Sequence, residues 1–254
     1  MEINKIYCID NIKGMAELGK ETVDLTVTSP PYDDMRNYNG YSFEFERVAR
    51  GLFYVTKPGG VVVWVVDDRK VNGSETGTSM RQALYFMDTC GFLLHDKMIY
   101  RKLNGAMGGR NEYLQEFEMM FVFSKGKPKT TNLLMDRKNV VHGDKSTPKR
   151  KSDKNGSISD RHIVERKEYG RRKNIWDYAV GGKQEIGKHP AIFPEKLAED
   201  HILSWSNKGD LVFDPFSGSG TTAKMAKLNG RNYIGFDVSQ EYVNISNQRL
   251  IACE

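Results

Sequence analysis

Cysteine is scarce in this chain. It has three in 254 residues, Cys8, Cys90 and Cys253, widely spaced and with no Cys-x-x-Cys among them. An odd, scattered set excludes a disulfide framework and a thiolate zinc site, and it suits a reducing cytosol. Long hydrophobic runs are also missing. The longest, Val61–Val66, is far too short to span a bilayer, and Met1–Asp10 lacks the apolar core of a secretion signal. A cytoplasmic protein without membrane contact is expected. No internal repeat is present. The one glycine-rich stretch, Asp214–Thr222, has no lysine, which excludes a phosphate-cradling P-loop.

What is present is a globular balance: 39% hydrophobic and 28% charged residues, enough for one large domain or one domain with an insertion. The charge is unevenly placed. Between Lys125 and Lys173 stand sixteen Lys/Arg against six Asp/Glu, a net of +10, whereas the rest of the chain is net −5. A basic run can be a plain solvated face, but concentrated positive charge also suits a polyanion, because each neutralised phosphate releases counterions.

Strand-like and helix-like patterns alternate along the chain. Strands are expected at Ile6–Ile9, Val23–Val27, Val61–Val66, Lys97–Tyr100, Met119–Phe123, Asp210–Phe213 and Tyr233–Phe236. The mostly β-branched run Val61–Val66 fits a strand buried on both faces of a parallel sheet. Helices are expected around Met15–Leu18, over Phe43–Val55 (stopped by Lys57-Pro-Gly-Gly60), and over Ser79–Thr89, Pro194–Leu203, Ala223–Leu228 and Gln240–Leu250. Such alternation predicts an open α/β sheet that binds ligands at its strand C-termini. The basic segment reads as loops or a small insertion.

Ser217-Gly-Ser-Gly220 falls between a strand and a helix, where glycines let backbone approach a ligand and a helix start offers unpaired N–H groups. Gly218, Gly220 and Ala223 satisfy a dinucleotide pattern, with Asp237 ending the next strand. They equally suit a nucleoside cofactor whose amino-acid end sits in the turn while Asp237 accepts from the ribose hydroxyls. Asp237 and Asp10 both also read as helix N-caps. Each ends a strand at the edge that carries the glycine turn.

Thr28-Ser-Pro-Pro-Tyr32 is the sharpest feature. Two prolines stop the strand and hold the neighbouring carbonyls rigidly. The plain reading is a strand stop with a tyrosine lid. Its chemical reading is a site for an NH₂ group, with the Ser29 hydroxyl and the Pro30 carbonyl as acceptors and Tyr32 stacked on the attached ring.

Together, Asp214-Pro-Phe-Ser-Gly-Ser-Gly220 and Thr28–Tyr32 resemble the S-adenosylmethionine-dependent DNA amino-methyltransferases, over nearly the whole chain. The tyrosine motif precedes the glycine motif, the permuted order of the β group. The resemblance implies a Rossmann-like class I methyltransferase fold, circularly permuted, with a mostly parallel twisted sheet and helices on both faces. It divides the chain into a catalytic half (1–124), a small basic target-recognition insertion (125–180) and a cofactor-binding half (181–254). It implies Ser29, Pro30, Pro31 and Tyr32 as the catalytic set. For the cofactor it implies Thr28, Asp214, Pro215, Phe216, Ser217, Gly218, Ser219, Gly220 and Thr221, with Asp10 near the adenine and Asp237 on the ribose. His189, Phe193 and Pro194 would line its methionine end. Lys149, Arg150, Lys151, Arg171, Arg172 and Lys173 are the candidate contacts to duplex DNA, and Trp176 interleaves an aromatic with the last three.

An exocyclic amine is a poor nucleophile because its lone pair is delocalised into the ring. Acceptors at Ser29 and Pro30 would draw its hydrogens out of plane, and this positioning chemistry requires no metal. Flipping the nucleotide costs roughly a few kcal/mol, against about 1–3 kcal/mol from stacking on Tyr32. Carbon-5 methylation is set aside, since it needs a cysteine nucleophile in a Pro-Cys setting and the cysteines here follow Tyr7, Thr89 and Ala252. The family resemblance associates Ser-Pro-Pro-Tyr mostly with cytosine N4, with adenine N6 as the alternative. A nicotinamide-dependent oxidoreductase and a non-catalytic nucleic-acid-binding module are the competing classes, and RNA stays open as a substrate. A homodimer and a separate restriction endonuclease are further expected partners.

Overall fold

A computed structural model describes residues 1–31, 43–104, 112–140, 167–179 and 193–253, with the backbone of 145–146 and 164–165. The chain forms two compact units. One comprises Met1–Asn132 with Asn174–Glu254, and the other is Leu133–Lys173.

The first unit is built on an eight-stranded sheet. Its elements are β1 (Lys5–Cys8), α1 (Asn11–Leu18), β2 (Val23–Thr28), α2 (Phe45–Val55), β3 (Thr56–Val66), α3 (Thr78–Leu84), β4 (Leu93–Lys102), β5 (Phe117–Ser124), β6 (Ile175–Tyr178), α4 (Glu195–Trp205), β7 (Leu211–Asp214), α5 (Thr221–Leu228), β8 (Asn232–Asp237) and α6 (Gln240–Ile251). The strand order is β1-β8-β7-β2-β3-β5-β4-β6. Every pairing is parallel except those of β5, which runs against both neighbours. Between β7 and β2 the chain's progress across the sheet reverses. Such a switch point opens a crevice beyond the strand C-termini.

The run Val61–Val66 shows why the sheet takes this form. All six residues are buried, and side chains alternate between faces along a strand. Val62, Trp64 and Val66 join the core built by α1 and α2 with Phe86 and Phe92, while Val61, Val63 and Val65 point to the other face. There α4 packs on α5 and β2, and α5 on α6. Burying each such valine stabilises the fold by about 1.5–3 kcal/mol. Trp64 keeps its one polar atom satisfied, with Nε1 donating to Gln82 Oε1 at 2.8 Å.

Several elements depart from expectation. Lys57-Pro-Gly-Gly60 is not a turn ahead of a strand but a bulge within β3: Val23 pairs with Thr56, and Leu25 already pairs with Val61. Gly59 has φ +79°, and a Cβ there would lie 2.9 Å from Lys129 Cβ. The expected helix Ser79–Thr89 is α-helical only to Leu84 and closes as a π-turn, Tyr85–Thr89. β4 and β5 are longer than their apolar cores, Lys97–Tyr100 and Met119–Phe123. β6 lies just past the basic segment Lys125–Lys173, within the 125–180 stretch expected as the insertion, and it buries Trp176 and Tyr178 against the sheet's helix layer. Trp176 is therefore a core residue, unlike the cations that precede it. Its ring packs on His201 of α4 at 4.6 Å between centroids.

Candidate active site

Parallel pairing decides which residues meet. Cys8 is level with Asp237, Asp214 with Gly235, and Thr28 with Trp64. The C-terminal ends of β1, β8, β7, β2 and β3 therefore share one rim, which carries Asp10, Asp237, the Asp214–Gly220 turn, the Ser29-Pro-Pro31 corner and Asp67.

The two motifs are joined directly, although 186 positions separate them in the chain. Thr28 Oγ1 donates to Asp214 Oδ1 at 2.7 Å, and Thr222 Oγ1 donates to the Val27 carbonyl at 3.1 Å. Asp214 also accepts from the Phe216 N–H at 3.0 Å. Its carboxyl is fully buried, and this desolvation pushes its pKa up to about 6 despite the donors around it. Phe216 in turn meets Phe43 edge-on at 5.5 Å, and Phe43 stacks on Trp64. The strand leading to the proline corner and the glycine turn thus share a polar junction, and the turn also makes an aromatic one with Phe43 and Trp64.

Gly218 and Gly220 of the turn have φ +49° and +77°, a region that L side chains rarely adopt. Asp237 grips the turn from β8: Oδ2 accepts from the Gly218 N–H at 2.9 Å and Oδ1 from the Ser239 N–H at 2.8 Å. It is not the cap of α6, because Ser239 takes that role through its own hydroxyl. Burial raises its pKa. Asp10 does cap a helix, accepting from Ile12 and Lys13 N–H groups at 3.1 Å, and the Ile9 N–H donates to the Asp237 carbonyl at 2.9 Å. Phe193 and Pro194 lead into α4, and the Pro194 carbonyl accepts the helix's first N–H bonds from Leu197 and Ala198.

The residues present fit a nucleoside cofactor with an amino-acid end. Ser217 Oγ, in the floor of the turn, is buried without a hydrogen-bond partner among the described residues. Carboxylate acceptors and the glycine backbone stand along the same rim.

Tyr32, His189, Lys149, Arg150 and Lys151 lie outside the described residues. Arg171, Arg172 and Lys173 belong to the second unit. Arg171 and Lys173 are exposed. Arg172 is paired within its own unit, its Nε donating to both carboxylate oxygens of Asp136 at 3.0 Å.

One rim residue was not foreseen. Asp67 follows β3 directly, three positions past Trp64, just as Pro31 stands three positions past Thr28. It accepts from Gln115 Nε2 at 2.8 Å, with Lys102 between it and Glu118 at 4.0 and 2.8 Å. Desolvation pushes its pKa up to about 6, and Glu118 adds to the rise. The signal was available: Asp67 ends a buried strand, as Asp10 and Asp237 do.

The DNA methylase family profile matches residues 23–248. The chain is 60% identical over 240 residues to the orphan methyltransferase M.BamHII of Bacillus amyloliquefaciens, covering 92% of this chain and 90% of that one. Among solved structures, the PvuII DNA methyltransferase (cytosine-N4-specific) superposes with TM-score 0.71 at 19% identity, over 96% of this chain and 85% of that one. The M1.HpyAVI–SAM complex superposes with TM-score 0.63 at 24% identity, over 97% and 99%. These two share the fold, and the permuted α/β architecture is the one expected. With the junction of its two motifs at one rim, the chain belongs to the DNA methylase family of N6/N4 amino-methyltransferases.

Proposed function

We propose that the protein moves the methyl group of S-adenosylmethionine to N4 of a cytosine flipped out of duplex DNA. The observation that carries this reading is the Thr28–Asp214 hydrogen bond, because it holds the Ser-Pro-Pro corner against the glycine turn. S-adenosylmethionine supplies an electrophilic methyl carbon on a sulfonium. The turn Ser217–Thr221 would hold its amino-acid end, with Phe193, Pro194 and His189 beside it; Asp237 would accept from the ribose and Asp10 would stand near the adenine. At the corner, the Ser29 hydroxyl and the Pro30 carbonyl would accept the amine hydrogens and free the nitrogen lone pair for attack, a gain from positioning rather than from covalent catalysis. The methyl–sulfur bond would break as the nitrogen–carbon bond forms, and the surplus amine proton would pass to solvent. Pro31 fixes the corner, and Tyr32 stacks on the ring. Serine in place of aspartate at position 29 supports cytosine over adenine, since it is the Ser-Pro-Pro-Tyr form that the cytosine-N4 enzymes favour.

In this reading residues 1–124 and 181–254 are the catalytic and cofactor halves, and 125–180 reads the target through its excess of cations. Family membership removes the nicotinamide reading, which rested only on Gly218, Gly220 and Ala223. A cytoplasmic location accords with the described residues, none of whose helices is long and apolar enough to cross a membrane.

The test is direct. The protein is incubated with labelled methyl donor and duplex DNA, the DNA is digested to nucleosides, and the modified base is identified. N4-methylcytosine supports the proposal; N6-methyladenine overturns the base assignment; tight DNA binding without methyl transfer overturns the activity.

A further inference from the structure

The outer side of the glycine turn is held by α6. Ser246 and Arg249 stand three positions apart and so share one helix face. Ser246 Oγ donates to the Gly218 carbonyl at 2.7 Å. Arg249 Nη1 donates to the Ser219 carbonyl at 2.6 Å and lies 3.0 and 3.3 Å from the Ser219 and Thr221 hydroxyls. Its other arm, Nη2, reaches Glu195 Oε1 at 2.5 Å. Glu195 opens α4 directly after Phe193 and Pro194, and it also accepts from Lys224 Nζ at 2.6 Å. One guanidinium therefore spans the glycine turn and the start of α4.

This arrangement fixes direction as well as place. In a trans peptide the carbonyl of one residue and the N–H of the next point opposite ways. With the Gly218 carbonyl drawn to α6, the Ser219 N–H points away from α6. With the Ser219 carbonyl drawn the same way, the Gly220 N–H also points away and donates to the Ser217 carbonyl at 2.7 Å. A half-buried charged donor on a carbonyl further polarises the N–H groups in line with it.

We propose that Arg249 is a positioning residue for cofactor binding: it fixes the peptide planes of the glycine turn and registers the turn against the Phe193–Glu195 segment. The proposal rests on the reading of Ser217–Thr221 as the cofactor turn. Lysine cannot replace it, because a point charge lacks the planar fork that serves two partners at once. A residue that only stabilised the fold would act on all steps together; this one acts on the cofactor step.

The test uses the full chain carrying Arg249→Lys, Arg249→Ala or Glu195→Gln, with Asp237→Asn as reference. The readouts are S-adenosylmethionine affinity, kcat at saturating donor, KM for duplex DNA, and melting temperature without ligand. Arg249→Lys should weaken donor binding about tenfold and Arg249→Ala more, the range of a lost charged hydrogen bond. Their kcat and DNA KM should stay within about twofold of the unmodified protein. Glu195→Gln, which keeps an acceptor, should fall between. Donor affinity of Arg249→Lys within about twofold of the unmodified protein overturns the proposal. So does a joint loss, in which donor affinity, kcat and melting temperature fall together and the KM for DNA rises. If Asp237→Asn leaves donor binding unchanged, the cofactor-turn reading fails and this proposal with it. If Asp237→Asn weakens binding and Arg249→Lys does not, only the role of Arg249 fails.

Discussion

Thr28 Oγ1 donates to Asp214 Oδ1 at 2.7 Å, and through this one bond the strand that carries the proline corner is locked to the strand that carries the glycine turn. The bond is buried at both ends, so its removal leaves a carboxyl short of a donor in a dry site. Thr28→Val, nearly the same shape, should destabilise the protein by about 1–3 kcal/mol. Methyl transfer should fall as well, because the two loops lose their shared register. Thr28→Ser keeps the hydroxyl and should restore most of both. Denaturant unfolding alongside turnover of the three proteins checks this; equal stability of the valine form would contradict the assigned role.

The same rim should make folding stability depend on pH in a defined direction. Burial holds the carboxyls of Asp214 and Asp67 at about 6, above the ordinary 3.8. Between those values the folded protein retains protons that the unfolded chain has released, so stability falls as pH rises from about 4 to about 6 and levels off above. Asp67→Asn removes one such group, so stability should fall less steeply across the window, by on the order of 2 kcal/mol in total. Urea titrations at pH 4.5, 5.5, 6.5 and 7.5 test this, and parallel curves for the two proteins would rule Asp67 out.

How far the sequence revealed this site can be judged residue by residue. The strand ends at Asp10, Asp237, Asp214 and Thr28 were legible because a buried parallel strand has a continuous apolar run, and the residues just past its end must stand at the rim. Asp67 obeys the same rule but carried no motif. Ser246 and Arg249 were hidden for a different reason: their partners lie 28 to 54 positions away on other elements, and no local pattern records such a contact. Trp176, noted in the sequence only as an aromatic beside three cations, gave no sign of its burial. β6 has only four residues, and its buried alternation (Trp176 and Tyr178 in, Ile175 and Asp177 out) is too short to stand out. The bulge in β3 was masked by Pro58-Gly59-Gly60, which reads as an ordinary turn.

Trp176 separates these readings experimentally. As a core residue packed on His201, its truncation to alanine should cost about 3–5 kcal/mol of stability. Binding of duplex DNA by the protein that stays folded should keep its salt dependence, since no phosphate contact is removed. A stable Trp176→Ala protein with weakened DNA binding would reverse the assignment.

Ser29 bears on the chemistry rather than the fold. If its hydroxyl accepts an amine hydrogen during transfer, Ser29→Ala should lower kcat by about 10²-fold, as loss of one positioned polar group does, with donor affinity unchanged. Ser29→Asp should keep activity on an exocyclic amine and raise the share transferred to adenine. Nucleoside analysis of the methylated DNA reads both outcomes, and an unaltered kcat for the alanine form would remove Ser29 from the reacting set.

Gly220 tests the turn itself, and two separate costs meet there. Its φ of +77° disfavours any L side chain, and an added Cβ would stand 2.8 Å from Ser246 Cβ. Gly220→Ala should therefore lose about 1–2 kcal/mol from backbone conformation, with a further loss from pushing α6 off the turn. Pairing it with Ser246→Gly removes the two closest contacts but not the Ser246 Cα at 3.2 Å or the strained φ, and it also removes the hydroxyl that holds the Gly218 carbonyl. The double variant should regain part of the stability lost by Gly220→Ala, yet bind S-adenosylmethionine no better, because the Gly218 carbonyl has then lost its donor. Melting temperature and donor titration measured together separate the two effects. Recovery of both in the double variant would mean that α6 merely fills space behind the turn.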